Sequence, residues 1–340
     1  MSERAVVLDP LFDEAGAAAM VALCERVGGY RMYADREKVD TDIGRGLSQR
    51  QDAVSNHLRT GGRTGADESL GTLARRTSYF REEFAYGGYR VDGIEPFLGH
   101  PALFDAAVAI HGRPVIEPAI VYGNLMVPGQ EHAVHTDVPE FRGANRKIVP
   151  QWLIVAMLHS GLFDEYRMPI ATGIAWFHDC DGGELSYWPD GPDAPVALHP
   201  VRYNTAMVLD TDRTFHGVDR VADVPADSVP RIGFGTRLEC VAPREWVLRN
   251  PDGSEIGRYD WSELRLSVSW KAYCFRDEHE RDTWRDHADD LTLDRIVDRF
   301  VDDLAARGRV APDVARDAEL GQCIIDEYIR FPASTSSSTG

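Results

Sequence analysis

The chain has no CxxC pair, no basic excess, and no apolar run near the roughly 18 residues a membrane helix needs. Each absence removes a class of protein. The five cysteines (Cys24, Cys180, Cys240, Cys274, Cys323) are scattered and odd in number, which argues against a disulfide framework or a structural zinc knuckle. Lys and Arg number 37 against 55 Asp and Glu, a formal charge of −18. A fold-wide field for nucleic acid is therefore absent, although a local basic groove is not excluded. The opening "MSERAVVLDPLFDEAG" carries acids where a signal peptide would be apolar. No internal repeat is visible. The expectation is a soluble, cytoplasmic protein with no membrane or nucleic-acid partner.

At 340 residues and 43% hydrophobic content the chain can bury a substantial core, and one large β-domain with additions fits the length. Residues 1–114 read as a helical and loop region, with amphipathic helices at 12–27 and 100–112 and a polar stretch at 34–80. From 115 the texture changes to short apolar or alternating runs ("VIEPAIVYGNLMV", "IATGIAWFH", "ELSYWPDG", "PVALHPV", "TAMVLD", "RIGFGTRLEC") separated by turn residues. Many short strands at close spacing predict a barrel or sandwich over 115–245. The run at 150–165 reads as a buried helical insertion, with Pro150 suited to the first turn. Residues 246–331 form an extension that turns helical after 275, and 332–340 ("PASTSSSTG") read as a disordered tail.

Within "HAVHTDVPEF" (132–141), His135 and Asp137 stand two apart, on one face of an extended strand. His216, in "TFHGVDRV", ends a later predicted strand. Two histidines and a carboxylate leave one side of an octahedral metal open, an arrangement suited to non-haem Fe(II). In "RIGFGTRLEC", Arg231 and Arg237 share a strand face cleared by Gly233 and Gly235, and an arginine fork there suits a carboxylate.

Taken together, "HTD" (135–137), "DGGELSYW" (181–188), "FHGVDRV" (215–221) and Arg231 resemble the Fe(II)/2-oxoglutarate-dependent dioxygenases, in particular the prolyl-4-hydroxylase-like branch. The resemblance covers about 115–240. It implies a mainly β fold with flanking helices and a double-stranded β-helix (jelly-roll) core. It also implies His135, Asp137 and His216 as catalytic iron ligands, and 2-oxoglutarate as co-substrate with Arg231 on its far carboxylate. Asn124 and Arg237 match co-substrate contacts of the nucleic-acid dealkylating branch. O₂ would oxidise a small molecule by hydroxylation, desaturation or cyclisation, with release of succinate and CO₂. The carboxylate of Asp137 speaks against halogenation, whose enzymes carry a small residue there. Two departures, Met126 where prolyl hydroxylases carry tyrosine and the 150–165 insertion, leave the substrate open. A peptide hydroxylase of the prolyl type and a non-catalytic metal-binding sensor are the alternatives.

The remaining candidates take blander readings. His132 falls on the opposite strand face by parity. His178 reads as a loop residue, and Tyr122 and Trp176 read as core. "NPDGSE" (250–255) reads as a hairpin turn.

Overall fold

The computed structural model describes residues 3–33, 39–47, 51–60 and 68–332. Ahead of the core come β1 (Ala5–Leu8), α1 (Glu14–Val27), β2 (Gly29–Met32), α2 (Gln51–Thr60), α3 (Leu70–Arg76) and β3 (Phe80–Tyr86). Then follow α4 (Glu95–Leu98), α5 (Pro101–His111), β4 (Val115–Met126), β5 (His132–His135), β6 (Glu140–Phe141) and α6 (Gln151–Ser160). The middle of the chain carries β7 (Arg167–Met168), β8 (Ile170–Trp176), β9 (Leu185–Tyr187), β10 (Ala197–His199), β11 (Thr205–Leu209) and β12 (His216–Val218). A meander of β13 (Arg237–Ala242), β14 (Glu245–Arg249) and β15 (Glu255–Asp260) precedes β16 (Arg265–Phe275) and then α7 (Glu278–Arg285), α8 (Leu293–Ala306) and α9 (Ala318–Tyr328).

The strand order defines a jelly roll. Four strands in the order β10-β9-β12-β5 form one sheet, and β11-β8-β16-β4 run side by side in the other. The chain crosses between the sheets at β4/β5, β8/β9, β10/β11 and β12/β16, and every pairing is antiparallel. The larger sheet grows to ten strands, with β1 on one flank and β3, β2 and the meander on the other. Behind it α1 and α5 bury an apolar core that includes Leu23, Ala107, Val121, Val268 and Trp270. Helix α1 is started by the Asp13 side chain accepting from the Gly16 amide and stopped by Gly28 in the left-handed region at φ 73°.

Three expectations change. The first 114 residues are not only helices and loops, because β1, β2 and β3 extend the main sheet. The core does not close at 245 either. Its last strand is β16, and the meander is an insertion before it. Finally, "RIGFGTRLEC" is not one strand: Gly235 takes φ 87°, Phe234 is 70% exposed, and pairing starts only at Arg237.

Helix α6 does form within 150–165, as a buried helix. Its residues Gln151–Leu158 are buried all round, as an all-apolar helix must be, and it packs with α8 and α9 into a second core around Phe163, Ile296, Phe300 and Ile324. The tail expected to be disordered, 332–340, falls outside the described residues except for Pro332, as do 34–38, 48–50 and 61–67 of the polar stretch.

Candidate metal centre and its two chambers

Strand register places the two histidines. His135 on β5 and His216 on β12 are directly opposed Cα partners, with ring centroids 4.5 Å apart. The glycine of "FHG" permits this closeness, because a Cβ on Gly217 would lie 2.9 Å from the His132 carbonyl. Asp137 sits just past the end of β5, where its amide donates to the Thr211 carbonyl. One donor atom from each of His135, Asp137 and His216 falls within 4.8 Å of the others.

The hydrogen bonds fix which atoms face the centre. His135 Nδ1 donates to the Ala133 carbonyl at 2.7 Å, and His216 Nδ1 to the Thr214 carbonyl at 3.0 Å. A carbonyl only accepts, so each Nδ1 carries the proton and each Nε2 keeps a lone pair. Asp137 Oδ1 lies 3.7 Å from His135 Nε2, while Oδ2 is held by Lys271 Nζ at 2.7 Å. One carboxylate oxygen therefore faces the two nitrogens and the other is tied back.

The electrostatics agree. Burial works to raise the Asp137 pKa, but the Lys271 ammonium and the two histidines hold it well below the usual carboxylate range. Burial, aided by neighbouring His135, pushes His216 down to about 4, so the imidazole stays neutral. This donor set fits a divalent metal of the Fe(II) class.

Two cavities meet at the triad. The inner one, about 70 Å³, is polar and lined by Asn124, Thr172, Arg265, Ser267 and Ser269. It is room for a handful of waters or a compact polar ligand. The outer one, about 550 Å³, is lined by Tyr33, Tyr86, Tyr273, residues of α2, and apolar side chains such as Leu73 and Ile120. Tyr79, Arg81, Tyr122, His132, His135 and Asp137 border both.

Strand β16 is the ruler along which these chambers are built. Its residues Arg265, Ser267, Ser269, Lys271 and Tyr273 alternate with buried Leu266, Val268, Trp270 and Ala272. Cross-strand neighbours extend the rows: Ser267 opposes Asn124, which opposes Arg81, and Ser269 opposes Tyr122, which opposes Glu83.

Arg265 is only 2% exposed. Its Nε donates to the Gly183 carbonyl at 2.6 Å and its Nη1 to Ser267 at 3.3 Å, yet no carboxylate among the described residues pairs with it. Burial lowers its pKa to about 10. A buried guanidinium that meets only neutral groups is costly unless an anion joins it. The second glycine of "DGGEL" makes the place for it: a Cβ on Gly183 would lie 2.7 Å from Arg265 Cδ.

The residues expected as anchors are placed differently. Arg231 is exposed, lies before β13, and lines neither chamber. Arg237 pairs with Glu239 and reaches the Gly29 carbonyl on the outer part of the sheet, also away from both chambers. Asn124 does line the inner chamber and accepts from Arg81 Nε at 3.0 Å. His132 is not turned away. It borders both chambers and lies tilted against His135 with ring centroids 4.4 Å apart, because the ladder is irregular between His216 and Val218. Tyr122 lines the chambers, whereas Trp176 is core. His178 is buried, its Nε2 donating to the Leu264 carbonyl at 2.6 Å. Arg265, Lys271 and Arg81 were not anticipated, although "RLSVSWKAY" carries the polar-apolar alternation that marks β16.

No family model matches the chain, and no curated protein does. Solved structures similar to it include the non-haem α-ketoglutarate-dependent carbocyclase SnoK of nogalamycin biosynthesis, at 12% identity, over 84% of this chain and 87% of that one, with TM-score 0.42. HygX from Streptomyces hygroscopicus, with nickel, 2-oxoglutarate and hygromycin B bound, is 10% identical over 80% and 84%, with TM-score 0.39. A Trichoplax adhaerens prolyl hydroxylase bound to a hypoxia-inducible-factor peptide is 10% identical over 82% and 86%, with TM-score 0.39. The fold assignment rests on strand order, and the chemistry on the donor geometry.

Proposed function

We propose that the protein is an Fe(II)- and 2-oxoglutarate-dependent oxygenase acting on a small molecule. The observation that carries this is the adjacency of two unprotonated Nε2 atoms and Asp137 Oδ1 to a polar chamber holding Arg265, a buried cation with no carboxylate of its own. Iron with 2-oxoglutarate and O₂ supplies oxidation of a C–H bond, releasing succinate and CO₂. His135, Asp137 and His216 hold the metal. Arg265, with Ser267, binds the far carboxylate of the co-substrate, and Asn124 lines the same chamber. Lys271 fixes Asp137, and the apolar walls of the outer chamber keep water from the reacting carbon. The walled outer chamber favours a small molecule over a polypeptide. Free cysteines suit a reducing cytoplasm, and among the described residues no helix is long and apolar enough to cross a membrane.

The test is succinate release with Fe(II), 2-oxoglutarate and a metabolite library. Turnover is expected in the wild type and absent in His135→Ala and His216→Ala. If the wild type binds metal but neither binds nor consumes 2-oxoglutarate, the sensor reading replaces this one.

A further inference from the structure

Arg81 borders both chambers, and among the described residues no carboxylate forms an ion pair with it. Its guanidinium carbon lies 3.8 Å from the Tyr122 ring centroid and 4.2 Å from that of Tyr33. Its Nε donates to Asn124 and its Nη2 to the Tyr79 hydroxyl at 3.4 Å, both neutral acceptors. The buried arginines Arg76, Arg142 and Arg167 behave otherwise, each meeting a carboxylate: Glu68, Asp289 and Asp210 respectively. Of the arginines bordering the inner chamber, Arg265 is assigned to the co-substrate, which leaves Arg81 facing the outer space.

A second orphan lines the same space. His57 on α2 is buried, and among the described residues neither of its ring nitrogens has a hydrogen-bond partner. The other walls are mostly apolar or aromatic, with Arg146, which reaches the Tyr33 hydroxyl, and Lys271, which holds Asp137, as the further cations. The carboxylates of the chamber are engaged: Glu83 pairs with Arg90, Glu140 accepts from the Tyr273 hydroxyl, and Asp137 is held by Lys271.

We propose that the outer chamber binds an organic acid with a largely apolar body, its carboxylate held by Arg81 and a second polar group set against His57. This deepens the oxygenase reading by naming its substrate class, although acid binding itself needs neither iron nor 2-oxoglutarate. A planar guanidinium clamped between two rings presents its free edge as a fork, which matches a carboxylate. The clamp also removes the rotamer entropy that a free arginine loses on binding. A phosphate dianion fits less well, because Glu83 and Glu140 share the same walls.

The experiment is calorimetric titration of full-length, metal-free protein with phenylacetate, 3-phenylpropanoate and indole-3-acetate, each beside its primary amide. The expected result is that at least one acid binds at millimolar concentration or below, and about 30-fold or more tightly than its amide, the low end for a desolvated charge pair. Arg81→Gln should lose that preference and Arg81→Lys should keep part of it, with thermal unfolding confirming that both are folded. Equal binding of acids and amides by the wild type overturns the proposal, as does no acid binding at all or unchanged preference in Arg81→Gln. The wild-type comparison decides even if the variants misfold. Loss of 2-oxoglutarate binding in the wild type, measured separately with Fe(II) under anaerobic conditions, counts against the oxygenase reading alone.

Discussion

Two segments of this chain begin with arginine and alternate, "RIGFGTRLEC" (231–240) and "RLSVSWKAYCF" (265–275), and only the second builds the site. In the first, the alternate positions are glycines. The backbone leaves the sheet at Gly235, with φ 87°, and Arg231 ends exposed. In the second, Leu266, Val268, Trp270 and Ala272 are fully buried behind the sheet, which forces Arg265, Ser267, Ser269 and Lys271 onto the site face. A face cleared by glycine looked like room for a ligand. The room is instead supplied by Gly183, in the loop just ahead of β9 of the opposite sheet, and the strand that carries the cation has to be anchored by its apolar half.

The largest effect expected from this contrast is on stability. Trp270 is fully buried, packs against Phe104, and its Nε1 donates to the Leu98 carbonyl at 2.9 Å. Trp270→Ala should cost about 3–5 kcal/mol in chemical denaturation. Gly233→Ala, whose added Cβ meets nothing within 4 Å, should stay within about 0.5 kcal/mol. Equal effects would mean that the first segment is as much a core strand as the second.

A pH titration sharpens the same point. His178 is bonded to the Leu264 carbonyl just ahead of β16, and burial lowers its pKa from 6.5 to about 4. Between those values the unfolded chain takes up a proton that the native chain refuses, so stability falls as pH drops through that window. His178→Gln should flatten the curve there by roughly 3 kcal/mol at most, read as the difference between variant and wild type, since His216 adds its own slope in metal-free protein. Parallel curves would show that His178 is not buried neutral.

Next in size is metal affinity. Lys271→Met frees the Asp137 oxygen that the ammonium holds, and Mn(II) affinity should fall about tenfold. That is the lower end for such a contact, because relief of repulsion between the ammonium and the metal offsets part of the loss. Arg237→Met, which breaks the pair with Glu239 and the contact to the Gly29 carbonyl, both away from the site, should leave it unchanged. A tighter metal site in Lys271→Met would mean that repulsion outweighs positioning.

Much of the architecture was legible because it depends on local pattern. The two histidines and Asp137 were readable from strand parity and motif order, helices α1 and α8 from apolar stripes, and α6 from Pro150 and a continuous apolar run. What stayed hidden depends on pairing between distant segments. Lys271 reaches Asp137 across 134 positions, and Arg81 meets Asn124 across 43. The meander of β13–β15 pushed the last core strand away from His216, so a spacing argument settled on Arg231, ahead of the meander. His132 was misjudged because parity assumes a regular ladder, and the β5–β12 ladder is not regular.

The central claim is that the triad and Arg265 together take iron and 2-oxoglutarate. It is tested most directly by anaerobic titration of Fe(II)-loaded protein with 2-oxoglutarate, followed through the visible charge-transfer absorbance of the chelate. Wild type and Arg231→Gln should saturate alike, within about twofold. Arg265→Gln should bind roughly 30- to 3000-fold more weakly, the cost of leaving a desolvated carboxylate unpaired. Normal binding by Arg265→Gln, with loss in Arg231→Gln, would contradict the account and return the anchor to the exposed segment.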